Sequence, residues 1–219
     1  MTCSRCQGIE DQFDARTARR QLRRYRRKGA VKTTRMLLDA LSEAGIRGAS
    51  FLDIGGGVGA IQHELADDGA GSGTSVDASP AYLETAKEEA QSRGYADRMR
   101  YIAGDFVEAQ ADVDAADLVT LDRVVCCYSD MEALVDASAS RARRAYGLVY
   151  PRDNILARAA IRVVNLVQLM RRCPFRAFIH PTEAVEARVE QHGLIKTYHA
   201  NWTMWQVTVF MRPATAANS

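Results

Sequence analysis

The chain has 219 residues, 47% of them hydrophobic, which is enough to build a full core around a single sheet. Its 29 basic and 27 acidic residues leave a formal charge of +2, so net charge gives no reason to expect a nucleic-acid partner. There is no run of about eighteen apolar residues, and the N-terminal part is polar and arginine-rich; this excludes a membrane span and a signal-peptide core and makes the cytoplasm the expected location.

Cys3 and Cys6 form a Cys-x-x-Cys pair, half of a thiolate metal site. Cys126, Cys127 and Cys173 supply no second half, so the five cysteines fit a reducing compartment and no metal is expected. Glu10, Asp11 and Asp14 then precede an acid-free segment from Arg16 to Lys28, an order that suits a helix macrodipole. Phe13, Ala18, Leu22 and Tyr25 fall on its inner side. The arginines make either a solvated face or a basic lid over an acidic substrate, with Tyr25 on the substrate side. Gly29 ends this helix, and Val31 to Ala44 predicts a second one with Met36, Leu37, Leu38 and Leu41 on its apolar side.

The segment from Ser50 to Leu65 joins an apolar strand, Asp53, a glycine-rich turn and an amphipathic helix. Glycines at 55, 57 and 59 let the backbone turn with positive φ and approach a ligand closely, while the amides opening the next helix point at it. Read as Gly55-x-Gly57-x-x-Ala60, the turn also fits the loose dinucleotide fingerprint. Asp53 argues against that reading, because a carboxylate at the strand end repels a pyrophosphate and suits a cationic ligand group.

Strands are predicted at Ser50–Ile54, Gly73–Asp77, Met99–Ala103, Asp117–Asp122 and Ala145–Tyr150, and helices at Ala60–Asp67, Ala81–Ser92, Met131–Arg144 and Pro181–His192. Two last strands, Ile195–Asn201 and Met204–Met211, have no helix between them and are expected to pair antiparallel at the sheet edge. The fold expected is α/β: a doubly wound, Rossmann-like, seven-stranded sheet with N-terminal helices. Residues 1–48 form a helical cap, residues 49–213 the main domain, and residues 152–180 a helical insertion; Ala214 to Ser219 reads as a tail. Within the insertion, Ile155, Leu156, Ala159, Val163, Leu166, Val167 and Met170 share one broad apolar face, expected to pack on the sheet or to cover a ligand crevice.

Three acidic junctions in order, Asp53 to Gly57, Asp77 in Thr74-Ser-Val-Asp-Ala-Ser-Pro80, and Gly104-Asp105-Phe106, make the chain resemble the class I S-adenosylmethionine-dependent methyltransferases. The resemblance implies that Asp53, Gly55, Gly57 and Gly59 wrap the methionine part of the cofactor. It further implies that Asp77, with Ala78 beside it, holds the ribose and that Asp105 contacts the adenine amine next to Phe106. Asp77 also has a local reading, as part of the helix start at Ser79-Pro80. Asp122 ends the fourth strand, where the transferable methyl would face the pocket. A shorter likeness, in Asp122-Arg-Val-Val-Cys-Cys-Tyr128, Tyr150-Pro-Arg-Asp153 and Phe178-Ile-His-Pro181, is to magnesium-protoporphyrin O-methyltransferases and related small-molecule enzymes.

The sequence lacks both an Asn-Pro-Pro-Tyr signature and a Pro-Cys nucleophile, so a small-molecule acceptor methylated on oxygen is expected, by a monomer or weak dimer. His180, at the end of the insertion, is the first candidate general base and Tyr128 the second, with His63 and His192 on helix surfaces. Arg123 and Arg152 are the candidate anchors for an acidic acceptor. Two other functions compete. An NAD-linked reductase would carry a Tyr-x-x-x-Lys pair, which is missing; a non-enzymatic module would keep the cofactor pocket and bind an acidic partner through the arginine-rich helix.

Overall fold

Alternation of apolar strands with amphipathic helices produces a seven-stranded sheet in the computed structural model, which describes residues 13–213. Glu10, Asp11, the Cys3/Cys6 pair and the tail from Ala214 lie outside the described residues. The strands are β1 (Ser50–Ile54), β2 (Ser72–Asp77), β3 (Met99–Ala103), β4 (Ala116–Asp122), β5 (Ala142–Pro151), β6 (Ile195–Trp202) and β7 (Trp205–Met211). Their order is β3-β2-β1-β4-β5-β7-β6, with β1 to β5 parallel and β7 antiparallel to both neighbours. The chain leaves β1 toward β2 on one side and returns to β4 on the other. A crevice therefore opens at the carboxyl ends of β1 and β4.

The helices are α1 (Ala15–Lys28), α2 (Lys32–Leu41), α3 (Ala60–Asp67), α4 (Pro80–Ser92), α5 (Phe106–Ala109), α6 (Met131–Ala139), α7 (Ile155–Met170) and α8 (Thr182–Glu190). On one sheet face Leu37 and Leu41 of α2 and Ile61 and Leu65 of α3 meet Phe51, Leu118, Val149 and Val209. On the other, α6 and α8 bring Leu134, Val135, Val185 and Val189 onto Leu52, Val119, Leu121, Tyr146 and Phe210. Parallel strands covered on both faces need these nearly continuous apolar runs. Across the open crevice, Ala18, Leu22 and Tyr25 of α1 pack with Val58 and Tyr82, and Arg26 pairs with Glu89 of α4. Asp14 caps α1 by accepting from the Thr17 amide at 2.8 Å.

Two expectations need correction. The helix expected over Met131–Arg144 stops at Ala139, and β5 starts at Ala142. Arg141 fixes the reversal there: its guanidinium donates to the carbonyls of Val113, Ala137 and Gln110. The second correction concerns the insertion. The apolar face of α7 is turned to solvent, with Ile155, Leu156, Val163, Leu166 and Met170 all exposed. The inward side holds Ala157, Ile161, Asn165 and Gln168 instead. Asn165 sets this rotation, because its amide makes two 2.8 Å hydrogen bonds to the backbone of Ala177 in the returning segment.

Candidate active site

The crevice is a cavity of about 710 Å³, within the range of small-molecule sites. Its floor is made by strand ends: Asp53 to Gly57 after β1, Val76 to Ala78 after β2, Gly104 to Phe106 after β3, and Asp122 to Val124 after β4. Gly55 and Gly57 have φ of 63° and 58°, which L side chains rarely adopt. A Cβ on Gly56 would stand 2.5 Å from Asp53 Oδ2, so the turn lies directly on that carboxylate. Asp77 fastens the same turn from the other side: Oδ2 accepts from the Gly57 amide at 2.9 Å and Oδ1 from the Ser79 amide at 2.8 Å. Ser79 is the cap of α4, so the helix start does not depend on the Asp77 side chain as its cap.

Negative charge is concentrated on this floor. Asp53 is buried, its Oδ1 accepts from Thr120 at 2.8 Å, and its Oδ2 has no hydrogen-bond partner. Desolvation raises its pKa to about 7; Thr120 opposes the rise, and the neighbouring Asp122 and Asp77 add to it. Burial also raises Asp77 and Asp122 above the usual carboxylate range. Asp122 Oδ2 accepts from Thr34, while Oδ1 accepts no hydrogen bond and lies 3.7 Å from Arg123 Nε. Three desolvated carboxylates around one cavity, two of them with an oxygen that accepts no hydrogen bond, form a receptor for a cation and for hydroxyl or ammonium donors.

The upper wall is different. Phe13, Ile161, Phe175 and Trp205 give it apolar surface, and Arg20, Arg24 and Arg123 give it positive charge. Phe13 meets Tyr82 and Phe175 edge-on at 5.7 and 5.9 Å, so the start of α1 is joined across the mouth to the insertion. Arg123 takes a left-handed backbone conformation, φ 64°. Its guanidinium lies 5.2 Å over the Trp205 ring and donates to Thr33 Oγ1 at 2.6 Å.

Residues 51–145 match a family model described as a methyltransferase domain. Among solved structures, it is similar to a magnesium protoporphyrin IX methyltransferase from Synechocystis PCC 6803 with bound SAH. That match has 18% identity and a TM-score of 0.73, over 94% of this chain and 98% of that one. It is also similar to an O-methyltransferase family protein from Burkholderia thailandensis, with 17% identity and a TM-score of 0.67, over 93% of this chain and 62% of that one. No curated protein matches by sequence. The fold is that of the class I S-adenosylmethionine-dependent methyltransferases. The dinucleotide reading of the glycine turn therefore gives way, in keeping with the carboxylates that line the floor.

The cavity collects Asp53, Gly55, Gly57, Asp77, Ala78, Asp105, Phe106, Asp122, Arg123, Tyr25 and Tyr128. Gly59 stands behind the wall; it begins α3 in the left-handed region, and a Cβ there would press on Gln62. Asp105 is a buried carboxylate that caps α5 and accepts from the Tyr128 hydroxyl at 2.9 and 2.8 Å, not a solvated turn residue. Tyr128 thus faces the cofactor floor. His180 does not line the cavity: its Nε2 is 2.9 Å from the Tyr128 carbonyl, and burial lowers its pKa. Arg152 also stays outside, donating to the Thr203 carbonyl at 3.3 Å. His63, expected on a helix surface, is fully buried between Tyr95 and the Val58 carbonyl. His192 lies half-buried against Asp136, remote from the cavity wall. Sequence reasoning missed Gly56, Thr34, Thr120 and the aromatic residues of the upper wall. The i,i+4 spacing of Arg20 and Arg24 was a usable signal for one shared face; Phe175 and Trp205 carried none.

Proposed function

We propose that this protein transfers the methyl group of S-adenosylmethionine to a carboxylate oxygen of an apolar small molecule held under α1 and the insertion. The observation that carries this reading is the upper wall: guanidinium groups of Arg20, Arg24 and Arg123 among Phe13, Phe175 and Trp205, with no imidazole among the described lining residues. Guanidinium forks suit a carboxylate, and aromatic faces suit a flat apolar body. The likeness to the magnesium protoporphyrin IX methyltransferase adds a porphyrin acid as one member of that class.

The cofactor supplies a methyl carbon already activated by a sulfonium. The chain's own residues do the rest. Asp77 and Asp105 hold hydroxyl and amine donors of the nucleoside, and the Gly55–Gly57 turn fits around the amino-acid end. The Asp53 carboxylate offers its free oxygen to positive charge on the ligand. Arg123, clamped between Trp205 and Thr33, sets the acceptor anion at the Asp122 end of the floor. A carboxylate is ionised at neutral pH, so alignment replaces proton removal, and orientation alone supplies several kcal/mol.

The test is incubation with methyl-labelled S-adenosylmethionine and a panel of apolar carboxylic acids, porphyrin acids and phenols. Label that mild alkali releases as methanol identifies an ester and supports the reading. Alkali-stable label on a phenol or amine overturns it. With an ester-forming acceptor, the double change Arg20→Gln and Arg24→Gln should raise its KM by about tenfold or more, the loss expected for charge-assisted hydrogen bonds.

A further inference from the structure

We propose that α7 is an interfacial helix that seats this protein on an anionic lipid surface. The helix is amphipathic in the inverted sense for a globular domain. Its inward side is the small and polar set Ala157, Asn165 and Gln168, joined by Ile161, and its outward side is the apolar ridge. Ile155 is 88% exposed, Met170 69% and Val163 61%, with Leu156, Leu166 and Leu169 also exposed. A contiguous apolar ridge of this kind on a soluble surface marks a contact site.

Charge and neighbours select the occupant. α7 contains neither aspartate nor glutamate, while Arg158 and Arg162 flank the ridge and Arg171 and Arg172 follow its end. Arg158 pairs with Asp153 at 2.7 Å, which leaves the other three to set the sign of the surface. A second copy of α7 would meet the first with like charge and no carboxylate. An anionic bilayer offers phosphates to the arginines and acyl chains to the ridge. The turn between β6 and β7 adds a second feature. It is bonded to the root of the insertion through Arg152, whose amide and guanidinium donate to the Met204 and Thr203 carbonyls, and it carries the half-exposed Trp202. Tryptophan favours the headgroup level of a bilayer. Ile161 of the same helix lines the cavity, so a docked α7 holds the mouth close to the lipid.

The full-length protein should sediment with vesicles of equal parts phosphatidylglycerol and phosphatidylcholine, and much less with phosphatidylcholine alone. The triple variant V163S/L166S/M170S should lower the partition coefficient at least about tenfold. So should R162Q/R171Q/R172Q, and half-molar salt should weaken the wild type. All these side chains are on the surface, and unchanged binding of S-adenosylhomocysteine in calorimetry shows that the variants are folded. This inference does not rest on the acceptor assignment, and an inactive but vesicle-bound protein would leave it standing. A wild type that stays in the supernatant overturns it, as does equal sedimentation of both variants. A dimer in analytical ultracentrifugation that the triple serine change dissolves, without vesicle binding, would give α7 to a second copy and also overturn it.

Discussion

Replacing Asp53 with asparagine isolates the electrostatic core of the site. Asn keeps an acceptor for Thr120 at nearly the same volume and cannot ionise. Burial carries the Asp53 carboxyl from 3.8 to about 7, which at about 1.4 kcal/mol per pH unit equals roughly 4 kcal/mol. The folded pKa is raised above the unfolded one, so this contribution is fully present below pH 3.8 and is lost as pH rises through 7. Urea denaturation of ligand-free wild type and Asp53→Asn, run from pH 4 to 8, should therefore give a stability difference that shifts by about 4 kcal/mol against the wild type and is flat above pH 7. Any pH-independent cost of burying the new amide cancels in that slope. Binding makes a second arm. A sulfonium stabilises the ionised carboxylate, so wild type should favour S-adenosylmethionine over neutral S-adenosylhomocysteine more at pH 8 than at pH 5.5, and the variant should not. Parallel denaturation curves for the two proteins would refute the argument.

His63 is buried, and desolvation lowers its pKa to about 4, so its contribution is present above pH 6.5 and lost as pH falls through 4. The difference between wild type and His63→Gln should change by about 3 kcal/mol across that window, opposite in sign to the Asp53 effect, in the same denaturation series. Asp77→Ala should weaken S-adenosylhomocysteine binding by about 1.5–3 kcal/mol in calorimetry, since the variant loses a charged acceptor and frees the Gly57 amide. Tyr128→Phe should reduce cofactor affinity without moving the pH profile of turnover, because its hydroxyl is held by Asp105; a lost alkaline or acidic limb would restore it as a base. Gly56→Ala should destabilise by about 1–3 kcal/mol in thermal unfolding, through overpacking against Asp53.

The legible parts of this protein are those whose signal is local. β1, β3 and α3 fall where alternation and apolar runs put them, and Asp53, Asp77 and Asp105 are readable because each stands within two residues of a strand's carboxyl end, next to a glycine or a helix start. The end of α6 was not readable. Residues 140–144 have a helix-compatible composition, and the reversal depends on Arg141 reaching carbonyls on a different loop. The orientation of α7 was misjudged for a related reason. Periodicity locates an apolar face but not its partner, and here two amide hydrogen bonds from Asn165 decide which side points inward. His63 shows the same limit, since a histidine in an eight-residue helix gives no sign of the tyrosine that buries it.

This division between local and distant signals also separates the two halves of the cavity. The floor uses only strand ends and the turns that follow them, so the sheet itself places the carboxylates around one crevice. The upper wall draws on four separate places: α1, the β4 turn at Arg123, the insertion, and the first residue of β7. Arg20 and Arg24 can change without disturbing the sheet, because they sit on an exposed helix face, whereas Phe175 is buried and Trp205 belongs to β7 between β5 and β6. The Arg123 backbone ties the two halves, since its left-handed conformation lets Asp122 stay on the floor while the guanidinium turns up to Trp205. Under the function proposed here, acceptor choice rests on the upper wall, and Arg123 is the position where changing the acceptor end should also disturb the cofactor end.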